Sequence, residues 1–132
     1  MPQLTELLLL NGTQQRPVRN ITVSGISFTG QRPTYVEPHG LPSGGDWGLE
    51  RLGAIRLAGT TGVNITGSLF HTLDDNALFL DGFNRDTTVA SNEFTGLGAS
   101  AIALWGYEQR GYGTDGSQPR HTLVTKNVGP QD

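Results

Sequence analysis

A chain of 132 residues, with 35% hydrophobic and 16% charged side chains, has room for one domain with a modest core. A net charge of −3 and the lack of any basic run leave no electrostatic footprint for nucleic acid. With no cysteine there is neither a disulfide framework nor a thiolate metal site, and no apolar run approaches the roughly 18 residues needed to span a bilayer.

Glycine, threonine, serine and asparagine are abundant, which favours strands and turns over helix. In chain order, Leu7-Leu8-Leu9-Leu10-Asn11-Gly12 comes first. It is too short for the core of a signal peptide, has no basic leader and ends without a small-residue cleavage site, so it reads as a strand. Ile21-Thr22-Val23 forms a second strand and Phe28 marks a third. Residues 29–52 then break the pattern with a segment rich in Pro and Gly, containing Glu37-Pro38-His39-Gly40 and Ser43-Gly44-Gly45-Asp46-Trp47.

Beyond it the strands recur. Gly53-Ala54-Ile55-Arg56-Leu57-Ala58-Gly59 returns as Asn76-Ala77-Leu78-Phe79-Leu80-Asp81-Gly82 and as Ser100-Ala101-Ile102-Ala103-Leu104-Trp105-Gly106, the starts lying 23 and then 24 residues apart. The second strand recurs as Val63-Asn64-Ile65, Thr87-Thr88-Val89 and Thr122-Leu123-Val124, and the aromatic position as Phe70 and Phe94. A second insertion, about 107–119, separates the last two strands. Such a period marks a solenoid, in which each coil buries its apolar side against the next. Three residues after each second strand come Ile26, Ser68, Asn92 and Asn127, suited to a bend whose side chains bond to backbone and to one another. Phe28, Phe70 and Phe94 fall in register as a stack.

Alternation in the first strand of each coil sends Ile55, Leu57, Leu78, Leu80, Ile102 and Leu104 inward, and Arg56, Phe79, Asp81 and Trp105 outward. Both insertions flank that outward face, where repeat proteins tend to build binding surfaces. Neither end carries a polar capping repeat, so the chain reads as a fragment whose partners include the remaining coils of a longer protein.

Three strands per coil, coils of about 22 to 24 residues, an Asn and Ser ladder and an aromatic stack resemble the right-handed parallel β-helix proteins of the pectin lyase-like superfamily. The resemblance covers nearly the whole chain and implies an all-β solenoid of about four coils, spanning residues 1–132. It also implies an extracellular or cell-surface setting and a polysaccharide or oligosaccharide partner. Activity is less specified, because the superfamily holds lyases, hydrolases, epimerases, adhesins and phage tailspikes.

On that footing the expected acidic centre is Asp74, Asp75 and Asp81, which could act as acid and base on a glycosidic bond or hold a divalent cation such as calcium against an acidic sugar. Against this, Asp and Asn are favoured turn formers. Arg56 could serve as the base of a β-elimination, as arginine does on this sheet in the superfamily's lyases. An exposed arginine is otherwise an ordinary ion-pair partner. Arg85 could bind uronate carboxylates, and Phe79 and Trp105 could stack on sugar rings, with Trp47, Asp46, His39 and Tyr107 contributing from the insertions. The competing outcome is that the insertions fold over the aromatic residues and bury them. Glu37-Pro38-His39-Gly40 resembles the Asp-Pro-His-Asp motif of β-helix mannuronan epimerases, but with Glu and Gly at its ends it does not carry that activity over. The three histidines lack zinc-ligand spacing, and the glycine pairs lack the following helix that a phosphate loop needs. The competing function is a non-catalytic structural, adhesive or carbohydrate-binding repeat.

Overall fold

The computed structural model describes residues 2–34, 50–107 and 116–129, and every regular element in them is a strand. In chain order these are β1 (Leu8–Asn11), β2 (Val18–Arg19), β3 (Thr22–Ser24), β4 (Ser27–Phe28), β5 (Gly53–Thr61) and β6 (Asn64–Thr66). There follow β7 (Leu69–Leu73), β8 (Asn76–Arg85), β9 (Thr88–Ala90), β10 (Glu93–Leu97), β11 (Ile102–Trp105) and β12 (Leu123–Thr125).

They form three parallel sheets. The first has the order β1-β5-β8-β11 with β2 alongside β5, the second β12-β9-β6-β3, and the third β10-β7-β4. From β3 onward the chain visits the second, third and first sheets in that order, repeatedly. A parallel neighbour needs a crossover, and here the strands of the other two sheets supply it in place of a helix. Register follows the sequence repeat: Ile55 lies beside Leu78 and Leu78 beside Ile102, while Ile65 lies beside Val89 and Phe28 and Phe94 both flank Phe70.

The core is built from the inward-facing set. Ile55, Leu57, Leu78 and Leu80 from the first sheet meet Val23, Ile65 and Val89 from the second and Phe28, Phe70 and Phe94 from the third. Each fully buried aliphatic side chain contributes about 1.5–3 kcal/mol. The phenylalanines stack as expected, with centroids 4.9 and 5.0 Å apart and rings within 16° of parallel. One expectation fails here. Leu104 pairs with Leu80 in register but is 41% exposed, because β11 is the edge strand of its sheet.

The bend ladder also forms. Ser68 Oγ accepts from the Ile26 amide, Asn92 Oδ1 accepts from the Ser68 amide and Asn127 Oδ1 accepts from the Asn92 amide. The amides of the side chains are used as well, since Asn92 Nδ2 donates to the Ile65 carbonyl and Asn127 Nδ2 to that of Val89. The backbone amides of Ile26, Ser68 and Asn92 and the carbonyls of Ile65 and Val89 are thereby satisfied at the bend.

Left-handed residues set the corners at matched positions. Asn20, Gly62, Asp86 and His121 open the second sheet, and Gly25, Gly67, Ser91 and Lys126 close it five residues later, all at φ between 53 and 69°. The amides of Asn20, Gly25, Gly62, Gly67, Asp86 and Ser91 donate to carbonyls of the neighbouring strand, as Gly62 does to Arg85 at 2.9 Å and Ser91 to Thr125 at 3.1 Å. Five residues further again, Gly30, Thr72 and Gly96 share positive φ on the third sheet. A left-handed residue other than glycine costs roughly 1–2 kcal/mol, and for a β-branched residue such as Thr72 the conformation is a genuine outlier.

Candidate functional site

The bend entering β8 gathers the first group of expected site residues. Asp74 Oδ2 accepts from the Thr34 amide at 3.0 Å and Asp75 Oδ2 from the Thr34 hydroxyl at 3.1 Å. Asn76 Nδ2 donates to the carbonyls of Glu50 and Leu52 at 3.1 and 2.8 Å. Asp74-Asp75-Asn76 is thus a clasp that holds the chain at Thr34 and again at Glu50. Turn-forming residues were expected at this bend, and the structure gives them this anchoring task. Asn76 Oδ1 also accepts from the Ser100 amide at 3.1 Å, which ties the bend to the approach to β11.

Asp75 is 2% exposed. Burial raises its pKa, and the nearby acids Glu50 and Asp74 add to the rise. Hydrogen bonds from the Asn76 amide and the Thr34 hydroxyl oppose it, and the net value is about 6. The folded state therefore binds this proton more tightly than the unfolded chain does. The contribution is stabilising below about pH 4 and is lost as pH rises through about 6, an expected loss of about 3 kcal/mol at 1.36 kcal/mol per unit. Asp75→Asn removes the titration and keeps an oxygen for the Asn76 amide. Urea unfolding from pH 4 to 7 is expected to show wild type weakening relative to Asp75→Asn across that window, and parallel curves would refute it.

The second group lies on the outer face of the first sheet. Alternation places Arg56 on β5 and Asp81 on β8 opposite the core face, as the sequence indicates. Asp81 Oδ2 accepts from Arg56 Nη2 at 2.6 Å and from Nε at 3.2 Å, while Oδ1 accepts from Arg51. Arg56 Nη1 reaches Glu6 Oε1 at 3.0 Å, and Arg51 also donates to the Gly106 carbonyl at 2.8 Å. Burial pulls the Arg56 pKa down, but the hydrogen bonds to Asp81 and Glu6 together hold it above the usual arginine value. Its guanidinium is thus engaged by two carboxylates, Asp81 and Glu6, on the outer face of the sheet.

Phe79 sits on the same face, but it is fully buried, under the Arg51 guanidinium at 5.4 Å from the ring centroid. It is therefore packing and not a platform open to a sugar. Trp105 lies beside Asp81 in register and is half-buried. Tyr107 lies against the backbone of Gly82, where an added Cβ would fall 2.0 Å from its ring. Arg85 is committed elsewhere. Its guanidinium stacks on Phe83 and donates to the carbonyls of Asn84, Gln118 and Gly116, which fixes the returning chain instead of presenting a cation to a ligand. His39, Asp46 and Trp47 lie outside the described residues.

Sequence reasoning missed Glu6, Arg51 and Thr34. Glu6 has the same parity as Leu8 and Leu10, so alternation sends it inward, and Arg51 and Thr34 lie in the segment that breaks the repeat. Among the described residues, no three His, Asp or Glu side chains converge as a metal would require. No helix there is long and apolar enough to cross a membrane. Comparison with family models, characterised proteins and solved structures gives no match for this chain.

Proposed function

We propose that this chain is a right-handed parallel β-helix of the pectin lyase-like kind, and that the outer face of its first sheet recognises or processes an extracellular polysaccharide. The period of 23 and 24 residues, the Asn and Ser ladder and the phenylalanine stack support the winding. One observation carries the functional reading. Two guanidinium groups, Arg51 and Arg56, converge on Asp81 next to Trp105, and the Arg56 side chain keeps 29% of its surface open to solvent. Cations beside a partly exposed indole suit an acidic sugar, whose carboxylate pairs with arginine while its ring lies on the aromatic face. If the surface is catalytic, Asp75 is the general acid, since burial raises its pKa to about 6. Hydrolysis is then favoured over elimination, because the Arg56 guanidinium is engaged by Asp81 and Glu6.

A non-catalytic binding or adhesive surface is the second reading. It is favoured by the engagement of Asp74, Asp75 and Asp81 in contacts that hold the fold. A panel of polyuronates and neutral polysaccharides separates the two. Turnover lost in Asp75→Ala but kept in Lys126→Ala supports the enzyme, and polyuronate binding that weakens in Arg56→Ala without turnover supports the second reading. Neither binding nor turnover with any member of the panel would remove both.

A further inference from the structure

We propose that Ser27 and His71 form a nucleophile and base pair on the outer face of the third sheet, able to take an acyl group from a carboxylic ester. With Phe28 and Phe70 turned into the core, the alternating positions Ser27, Leu69 and His71 face out. Ser27 Oγ stands 3.1 Å from His71 Nε2, within the reach that general-base activation of a hydroxyl requires. On the other side of the ring, His71 Nδ1 lies 3.4 Å from the Thr72 hydroxyl. With the proton on Nδ1 directed at Thr72, the Nε2 lone pair accepts the Ser27 hydroxyl, which is the tautomer a base must have.

The backbone supplies an independent argument. Thr72 holds φ 52° at a position where the flanking strand layers have Gly30 at 75° and Gly96 at 58°. Glycine meets the demand of the bend at no steric cost, whereas a β-branched residue there is strained. What threonine adds over glycine is the hydroxyl that reaches the imidazole, and strain kept for such a contact points to function.

In the reaction, Ser27 Oγ bonds to the ester carbonyl carbon as its proton passes to His71 Nε2. The bond to the alcohol oxygen then breaks, and the alcohol departs with that proton. Water next adds to the acyl carbon and gives a proton to Nε2. The bond between Oγ and the acyl carbon breaks, the proton returns to Oγ, and the acid is released. Ser27 and His71 are the catalytic residues, and Thr72 is a positioning residue.

The test is acylation of the full chain by p-nitrophenyl acetate, read by peptide mass spectrometry. Competing amines are few, since Lys126 is the chain's single lysine. Acetyl is expected on Ser27, absent in Ser27→Ala, and slower by about 100-fold in His71→Gln, the lower range for a positioned base. Thr72→Gly relieves the backbone, so it is expected to raise the unfolding midpoint while slowing acylation several-fold, and Thr72→Ser to restore the rate. Labelling at Lys126 or the chain terminus with Ser27 unmodified overturns the pair, as does an unchanged rate in His71→Gln. An unchanged rate in Thr72→Gly overturns the positioning role.

Discussion

Gly59→Ala is expected to destabilise the fold severely. Gly59 has φ 66° at the irregularity between Ala58 and Thr60 in β5, and an added Cβ would fall 2.3 Å from the Gly12 carbonyl carbon and 2.6 Å from the Thr13 amide nitrogen. Both obstacles are main chain, pinned by the Gly12 amide bond to Ala58 at 2.7 Å, so neither yields by a change of rotamer. The left-handed conformation costs roughly 1–2 kcal/mol, and overpacking against fixed backbone typically adds about 1–3 kcal/mol. A total near 4 kcal/mol is a large share of the stability of a small domain, commonly about 5–15 kcal/mol. Gly25→Ala is the internal control. It has φ 68° and nothing within 4 Å of the added carbon, so only the conformational cost applies. Chemical denaturation followed by circular dichroism compares the two, and similar midpoints would show that the close approach at Gly12 carries no weight.

The same position shows what sequence reading could and could not reach. The seven-residue repeat ending at Gly59 and Gly82 was visible, and reading those glycines as strand ends was natural. Instead β5 runs on to Thr61 and β8 to Arg85, because a left-handed residue kinks the strand without ending its pairing. Features fixed by offset within the repeat were legible. Phe28, Phe70 and Phe94, the ladder at Ser68, Asn92 and Asn127, and the inward set from Ile55 to Leu80 all follow from spacing alone. Covering was not legible. Alternation gives the direction of Phe79 and Leu104 but says nothing of what lies over them, and one is sealed while the other stands open. Nor could spacing show that Thr34 would meet Asp74 and Asp75, or that Glu6 and Arg51 would share the charges of Arg56 and Asp81. Those contacts join repeat to insertion, and insertions have no period to read.

Asp81→Ala is expected to cost about 3–5 kcal/mol, the range for removing one partner of a buried pair. The carboxylate is 7% exposed, and it accepts from Arg56 through one oxygen and from Arg51 through the other. Truncation leaves Arg56 with Glu6 and Arg51 with the Gly106 carbonyl, in a setting that the intact carboxylate had neutralised. Because Arg56 retains partial exposure, water can reach it, and the lower end of the range is the expected value. The double variant Asp81→Leu with Arg56→Met removes both charges and is expected to recover most of the loss, since apolar replacements of a buried pair are often neutral. Urea unfolding of the single and double variants measures the coupling. A single-variant cost below about 1 kcal/mol would class the pair with solvated surface pairs. Asp81 would then be free to act on a substrate, which the geometry otherwise denies it. A large coupling makes Asp81 the fixed counter-charge that aims Arg56, so that its loss and that of Arg56 should weaken polyuronate binding to the same extent.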